Sequence, residues 1–212
     1  MTRPSRDRRL GEPNGPGRSP QPEPLVAAGP GTEYTFDAET LLPVALDAQR
    51  MAAAADRMLE VSRESGDALS AAGQASKAAF LFAVAGQHER GERLLREVIG
   101  RQDELGATHD HTVSTVRLSQ VLQLAARPNE ALVLLREVLE DVHQRAELSS
   151  LLDFALQHLG KVLYQLGEYA QARAAFAEAL QLRRGKGDAS LIDSTSLALQ
   201  AVERAEAASG GR

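Results

Sequence analysis

The sequence predicts an all-α fold, an α-solenoid in which antiparallel helix pairs stack along one axis. The 212-residue chain is only 4% aromatic and has no tryptophan, and it is rich in Ala, Leu, Glu, Arg and Gln, which favour helix over strand. It also contains an internal repeat, because residues 94–99 (Leu-Leu-Arg-Glu-Val-Ile) return 40 positions later as residues 134–139 (Leu-Leu-Arg-Glu-Val-Leu). Self-similarity at a period of about 20 to 50 residues is typical of solenoids.

Residues that start and end helices divide the chain into eight segments. Asp67 is a favourable N-cap, Gly106 is a favourable helix end, and Pro128 is tolerated in a first turn. Gly86 and Gly167 provide turns between antiparallel partners. No segment alternates with period two, so no strand is predicted. Helices are expected near residues 41–64, 68–85, 88–104, 111–125, 129–146, 150–166, 169–184 and 189–207.

The two ends of the chain differ from its middle. Residues 1–33 hold seven of the nine prolines and five glycines, and they are predicted to form a disordered tail because they offer little apolar surface to bury. The helical repeat domain is expected over residues 34–208, followed by a flexible C-terminus at 209–212. Arg8 and Arg9 precede no apolar segment, so we expect no secretion signal. No apolar stretch reaches the roughly 18 residues of a membrane span, so we expect a cytoplasmic protein without a membrane partner.

Composition and motifs exclude several classes of function. A formal net charge of −5 argues against a nucleic-acid partner, and the absence of cysteine rules out disulfides, Cys-ligated zinc and thiol catalysis. Neither a Gly-x-Ser-x-Gly elbow nor a phosphate-binding glycine loop is present. His109, Asp110 and His111 form the one metal-like cluster, but three adjacent residues at a helix start point in different directions. We therefore predict that the chain is not an enzyme and has no catalytic residue, metal or cofactor.

The helix pair near residues 150–184 has the most specific pattern. Gly160 and Ala172 are small enough to let two helices approach closely, and Phe176 fills the seam between them. This pattern resembles the tetratricopeptide repeat family, and the two preceding pairs carry weaker versions of it. The resemblance covers residues 68–186 and implies a right-handed α-solenoid of about three repeats flanked by capping helices. The residues that match the family's spacing are Leu159, Gly160, Leu163, Gly167, Tyr169, Ala172, Phe176, Ala179 and Leu180.

The length of the repeat indicates a subgroup of that family. Gly91, Ala131 and Ala172 lie 40 and 41 residues apart, whereas about 34 is usual. Long helices at this spacing resemble the kinesin-light-chain type. Residues 105–109 are similar to that subgroup's inter-repeat loop, although Asp110 stands where a proline is usual.

The resemblance also implies a concave groove lined by the first helix of each pair. The implied groove positions include three cations and no carboxylate, although residues 34–212 carry a net charge of −6. Cations and amides suit the carbonyls and acidic side chains of an extended peptide. The asparagines usual in the subgroup are missing, and the clamp for a terminal carboxylate is incomplete. The predicted groove residues are Lys77, Phe80, Arg117, Gln120, Gln123, Gln157, Lys161 and Gln165.

These observations favour a non-catalytic protein–protein interaction module that binds a peptide or protein segment in the groove. Lys77, Arg117 and Lys161 would set the orientation and association rate of the partner. Two alternatives stay open. One is a ligand-responsive regulatory protein of signalling or transcription control, and the other is an assembly subunit that forms homo-oligomers through the apolar face of helix 41–64. The Ala-, Arg-, Gly- and Leu-rich composition indicates a GC-rich bacterial genome and does not separate these options.

Overall fold

The computed structural model describes residues 29–210, which form a short β-hairpin followed by eight α-helices. A 3₁₀ turn at Ala146–Leu151 precedes the sixth helix. Within this range, no helix combines the length and the apolar character that crossing a membrane requires. The elements are β1 Tyr34–Phe36, β2 Pro43–Ala45, α1 Ala48–Glu64, α2 Ala68–Val84, α3 His88–Glu104, α4 Thr108–Leu124, α5 Pro128–Gln144, α6 Leu152–Gln165, α7 Tyr169–Lys186 and α8 Ala189–Gly210.

The helices form an all-α solenoid of tetratricopeptide-like pairs, as the sequence predicts. Loops of two or three residues join consecutive helices, except between α5 and α6, so neighbours in the chain run antiparallel. Each helix packs on the next, and contacts between α2 and α4 and between α4 and α6 bring the first helices of the three pairs side by side. These three helices form one continuous surface, which we call the groove. Helix α1 precedes the three pairs and α8 follows them.

Small residues let the two helices of each pair approach closely. Gly91, Ala131 and Ala172 are buried at equivalent positions of α3, α5 and α7. In the third pair, a Cβ added at Gly160 would lie 2.6 Å from the ring of Phe176, which is itself fully buried. The predicted role of these small residues in the seam is confirmed by this packing.

The predicted ends of α2 to α8 lie within three residues of the observed ends, and local signals explain this agreement. The side chain of Asp67 accepts hydrogen bonds from the main-chain N–H groups of Leu69 and Ser70, which makes it the N-cap of α2. Pro128 occupies the first turn of α5, and Gly106 adopts a left-handed φ of +64° where α3 ends.

The first helix and the absence of strands were predicted wrongly. Helix α1 begins at Ala48 rather than near residue 41, because Asp47 caps it by accepting a hydrogen bond from the N–H of Arg50. Residues 43–45 instead pair with residues 34–36 as an antiparallel hairpin, in which Tyr34 lies opposite Ala45. Strands of three residues are too short to show an alternating pattern.

The predicted disordered tail falls largely on residues 1–28, which lie outside the described residues. Residues 29–33, which the sequence assigned to the tail, precede the hairpin within the described range. Thr32 is 4% exposed, and its hydroxyl donates a hydrogen bond to the carbonyl oxygen of Gly29. At the other end, α8 continues to Gly210, and residues 211–212 lie outside the described range.

Two glycine substitutions in α3 test the close packing of the helix pairs. A Cβ at Gly91 would lie 2.5 Å from the carbonyl oxygen of Ala79 in α2. Gly91→Ala should therefore force the helices apart and lower the free energy of unfolding by about 1–3 kcal/mol. Gly100 lies in the same helix, and an added Cβ there would meet no packed neighbour within 4 Å among the described residues. Gly100→Ala should therefore raise that free energy by up to about 1 kcal/mol. Chemical denaturation of both variants measures the difference, and a stability change of the same sign in both would contradict this packing.

Candidate functional site

Six of the eight predicted groove residues line one cavity of about 450 Å³. Because α2, α4 and α6 lie side by side, equivalent positions on the three helices face the same space. The cavity also contacts the hairpin on one side and the start of α8 on another. The six residues are Lys77, Phe80, Arg117, Gln120, Gln157 and Lys161.

Gln123 and Gln165 are not among the residues that line the cavity. Their side chains hydrogen-bond to each other across α4 and α6, with 3.3 Å between Nε2 of Gln123 and Oε1 of Gln165. The amide of Gln165 also donates to the main-chain carbonyl of Gln123 at 3.4 Å. The structure therefore gives this pair a role in holding two repeats together. Its assignment to partner binding stays a prediction.

The β-hairpin lies in the groove, and sequence reasoning missed it. The ring of Tyr34 packs edge-on against Phe80 of α2, with 5.9 Å between centroids. The ring of Phe36 lies 3.7 Å below the Nζ atom of Lys161 in α6, a cation–π contact. Leu41, between the two strands, is buried in the same apolar cluster as Leu163. The chain's own extended strand therefore crosses the groove from α2 to α6.

The lining of the cavity is strongly cationic. Lys77, Arg117, Lys161 and Arg183 contribute to it, and its lining residues include no carboxylate. Arg183 is neutralised by Asp153, whose Oδ2 atom accepts a hydrogen bond from Nε of Arg183 at 3.0 Å. Among residues 29–210, neither Lys77 nor Arg117 forms a salt bridge. Two of the four cations of the lining, Lys77 and Arg117, thus have no carboxylate in direct contact within the described part of the chain.

Arg117 lies at the centre of this surface. Its guanidinium donates a hydrogen bond to the hydroxyl of Ser76 at 3.0 Å, and Ser76 in turn lies 2.8 Å from the hydroxyl of Ser114. Burial lowers the pKa of Arg117 from its ordinary value, while the charge of Asp110 opposes that shift. Arginine keeps its proton even so, and it therefore holds a positive charge in a largely desolvated place.

Two further polar groups of the lining lack partners. Gln157 is 3% exposed, and neither atom of its amide has a hydrogen-bond partner among the described residues. The amide Nε2 of Gln120 lies 3.3 Å from Nε2 of His158, so that ring nitrogen accepts. The buried Nδ1 atom of His158 has no hydrogen-bond partner within residues 29–210. Burial lowers the pKa of His158 well below its ordinary value, and the nearby charge of Lys161 adds to this, so the ring is neutral. Each unsatisfied buried group costs about 1–3 kcal/mol.

Beside the cavity, a buried ion cluster joins α6, α7 and α8. Asp153 receives hydrogen bonds from Arg183 and from Lys186, and Nη1 of Arg183 also donates to the hydroxyl of Thr195 at 2.6 Å. Burial alone would raise the pKa of the Asp153 carboxyl, but these two cations bring it below its ordinary value of 3.8. The cluster fixes the third helix pair against α8.

Comparison with known proteins agrees with this geometry. Residues 153–185 match the tetratricopeptide repeat, a range that takes in nearly all of α6 and α7. The match supports the tetratricopeptide repeat family. No curated protein matches the chain. The kinesin-light-chain-like subgroup stays a prediction that rests on the repeat spacing.

The cavity presents polar donors beside aromatic rings. The lining residues provide amide, guanidinium and ammonium donors together with aromatic rings. Among residues 29–210, no three His, Asp or Glu side chains gather as metal ligands. An all-α fold of tetratricopeptide repeats is typically non-catalytic and suggests a module for protein interaction.

The buried ion cluster makes a prediction about stability. Asp153→Asn leaves Arg183 buried without its counter-charge, so the free energy of unfolding should fall by about 3–5 kcal/mol. Asp141 pairs with Arg145 at 3.8 Å on the surface, and Asp141→Asn should cost less than about 1 kcal/mol. Denaturant titrations of both variants at neutral pH measure these losses.

The same cluster should make stability depend on pH. Because the folded state lowers the pKa of Asp153, the carboxylate stabilises the fold above its unfolded pKa, and this contribution disappears as pH falls through the folded value. The stability difference between wild type and Asp153→Asn should therefore shrink below about pH 4. Equal losses for Asp153→Asn and Asp141→Asn at neutral pH would contradict a buried role for Asp153.

Proposed function

We propose that the chain is a non-catalytic interaction module that binds an extended segment of a partner protein in the groove. The observation that carries this proposal is the position of β1. Tyr34–Phe36 is an extended segment that lies across α2 and α6 and contacts them through aromatic side chains. The groove thus accommodates extended backbone, which is the form in which such repeats would hold a peptide.

The charges of the groove favour an acidic segment as the partner. Lys77 is exposed and Arg117 has no salt bridge in the described part of the chain. A carboxylate of the partner would gain a charge-assisted hydrogen bond at Arg117, and Lys77 would raise the association rate by long-range attraction. Gln120 offers an amide at the same surface for hydrogen bonds to a main chain.

A second candidate is a regulatory protein whose groove opens in response to a ligand. The hairpin favours this candidate because it already covers Phe80 and Lys161, two of the predicted contact residues. A partner segment that uses these residues must displace β1 or extend along it. The exposure of the groove would then depend on the position of the hairpin.

Charge reversal in the groove tests the proposed function. Lys77→Glu/Arg117→Glu should abolish capture of a partner from cell lysate, because it reverses the two groove charges that form no salt bridge among residues 29–210. Arg93→Glu/Arg136→Glu makes the same change at exposed residues of α3 and α5, and it should capture the partner as wild type does. Quantitative mass spectrometry after affinity capture measures partner recovery with all three baits.

Folding must be equal for the comparison to be valid. The baits are therefore compared first by helicity and thermal unfolding, and the exposed single change Lys77→Glu, which should reduce recovery in part, replaces the double variant if Arg117→Glu unfolds. Equal recovery by the groove variant and its control would place the partner site elsewhere, and no specific recovery by wild type would contradict an interaction module.

A further inference from the structure

The cavity between the hairpin and the groove has the size of a site for a small molecule. Its volume is about 450 Å³, within the range of about 300–1,000 Å³ that is typical of ligand pockets. Its walls come from the hairpin, the groove and the start of α8, with Met58 of α1 and Arg183 of α7 completing them. A partner peptide needs only the groove surface, whereas this space lies between the groove and a strand that already crosses it.

The positive charge of the cavity favours an anion as its ligand. Arg117 is partly buried, and its hydrogen bond to Ser76 supplies no negative charge. Lys77 reaches the same space, and the described residues that line it include no carboxylate. Asp110, whose charge acts on Arg117, lies outside this lining and forms no salt bridge with it. An uncompensated charge held away from water is costly, and an anionic group bound beside it removes that cost. A planar carboxylate or a phosphate matches the fork of a guanidinium.

The unpartnered amide of Gln157 is a second, independent sign of a ligand. The side chain is 3% exposed and lines the cavity, yet both its donor and its acceptor lack a partner among residues 29–210. Buried amides are nearly always hydrogen-bonded in native proteins. Gln157 lies on α6, one helix away from Arg117, so it would meet a different part of the same ligand.

The aromatic rings of the lining indicate the chemical nature of the rest of the ligand. Tyr34, Phe36, Phe80 and Phe154 all line the cavity. Tyr34 meets Phe80 edge-on, and Phe154 meets His158 edge-on at 4.8 Å between centroids. Rings in this arrangement favour a flat apolar body, which can stack on some of them and meet others at their edges.

We propose that this cavity binds a small organic anion with a flat, aromatic body. Arg117 and Lys77 hold its carboxylate or phosphate group, Gln157 hydrogen-bonds to a polar atom of its body, and the rings enclose the rest. The inference goes beyond the proposed function and does not depend on it, because a small molecule can bind here whether or not the groove also binds a protein. Bound in this way, the anion touches both the hairpin and the helices, and it would hold the hairpin in place.

Four probes that share one ring system test the proposal on the purified full chain. They are 1-naphthaleneacetate, 1-naphthyl phosphate, the neutral 1-naphthaleneacetamide and the cationic 1-naphthylmethylammonium. At least one of the two anions should bind at least about tenfold more tightly than the amide and the ammonium, by isothermal titration calorimetry backed by saturation-transfer NMR. The ratio between the two anions identifies a carboxylate or a phosphate as the preferred head group.

Substitutions then place the anion in the cavity. Arg117→Gln should lower the affinity for the anion about tenfold and leave the affinity for the neutral amide unchanged. Arg93→Gln, on the exposed face of α3, should change neither affinity. Lys77→Gln, at an exposed position, provides the same test if Arg117→Gln is poorly folded. Gln157→Leu should lower the affinity for the anion. It should also raise the melting temperature of the free protein, because it removes a buried amide that lacks hydrogen-bond partners within residues 29–210.

Each outcome decides the inference. A preference for an anion that Arg117→Gln abolishes supports it. Equal binding of all four probes, unchanged anion affinity in both Arg117→Gln and Lys77→Gln, or no binding of either anion overturns it. Unchanged anion affinity in Gln157→Leu overturns the role given to the amide. None of these results depends on recovery of a protein partner, so failure of this inference and failure of the proposed function remain distinguishable.

Discussion

Close contact between paired helices is the constraint on which the rest of this structure depends. At Gly91, Ala131 and Ala172, the second helix of each pair presents almost no side chain to the first. Large side chains one turn further on then fill the seam, as Phe176 does against Gly160. Because this contact recurs every 40 or 41 residues, each helix pair has the same internal geometry and packs on the next pair in the same way. The regular packing brings α2, α4 and α6 side by side.

The alignment of α2, α4 and α6 explains why polar residues far apart in sequence meet. Ser76, Arg117 and Gln157 lie about one repeat apart, and each faces the same side of the solenoid. Buried polar groups on such a surface are costly for stability. Some are satisfied within the solenoid, as Gln123 and Gln165 are by each other. Within residues 29–210, Arg117 forms no salt bridge and the amide of Gln157 has no hydrogen-bond partner. Local rules of this kind are most often broken at functional sites.

Much of the fold could be predicted because its signals are local or periodic. Asp67, Gly106 and Pro128 mark helix ends through main-chain requirements that a sequence displays directly. The 40-residue repeat indicates which positions of α2, α4 and α6 are equivalent. Residues that line one cavity could therefore be predicted from three separate helices. Ala126 shows the limit of such signals. It adopts a left-handed φ of +57° at the turn where the other two pairs have Gly86 and Gly167. Alanine does not by itself indicate a left-handed turn, so only the position of Ala126 in the repeat indicates this conformation.

The hairpin could not be predicted by the same means. Its strands have three residues each, and they follow a segment rich in proline and glycine. Tyr34 and Phe36 belong in the groove because Phe80 and Lys161 lie opposite them, and these contacts span about 45 and 125 positions of the chain. Arg183 was missed for a similar reason, since its partner Asp153 lies on another helix. Contacts of this kind depend on the assembled tertiary structure rather than on any local pattern.

The proposals for the groove and the cavity both depend on the position of the hairpin, and nuclear Overhauser effects test that position most directly. The chain has three tyrosines, five phenylalanines and no tryptophan, so its aromatic signals can be assigned. We expect cross-peaks between the rings of Tyr34 and Phe80, and between the ring of Phe36 and the side chain of Lys161. Averaged, random-coil shifts for Tyr34 and Phe36, without cross-peaks to α2 or α6, would contradict this position of the hairpin.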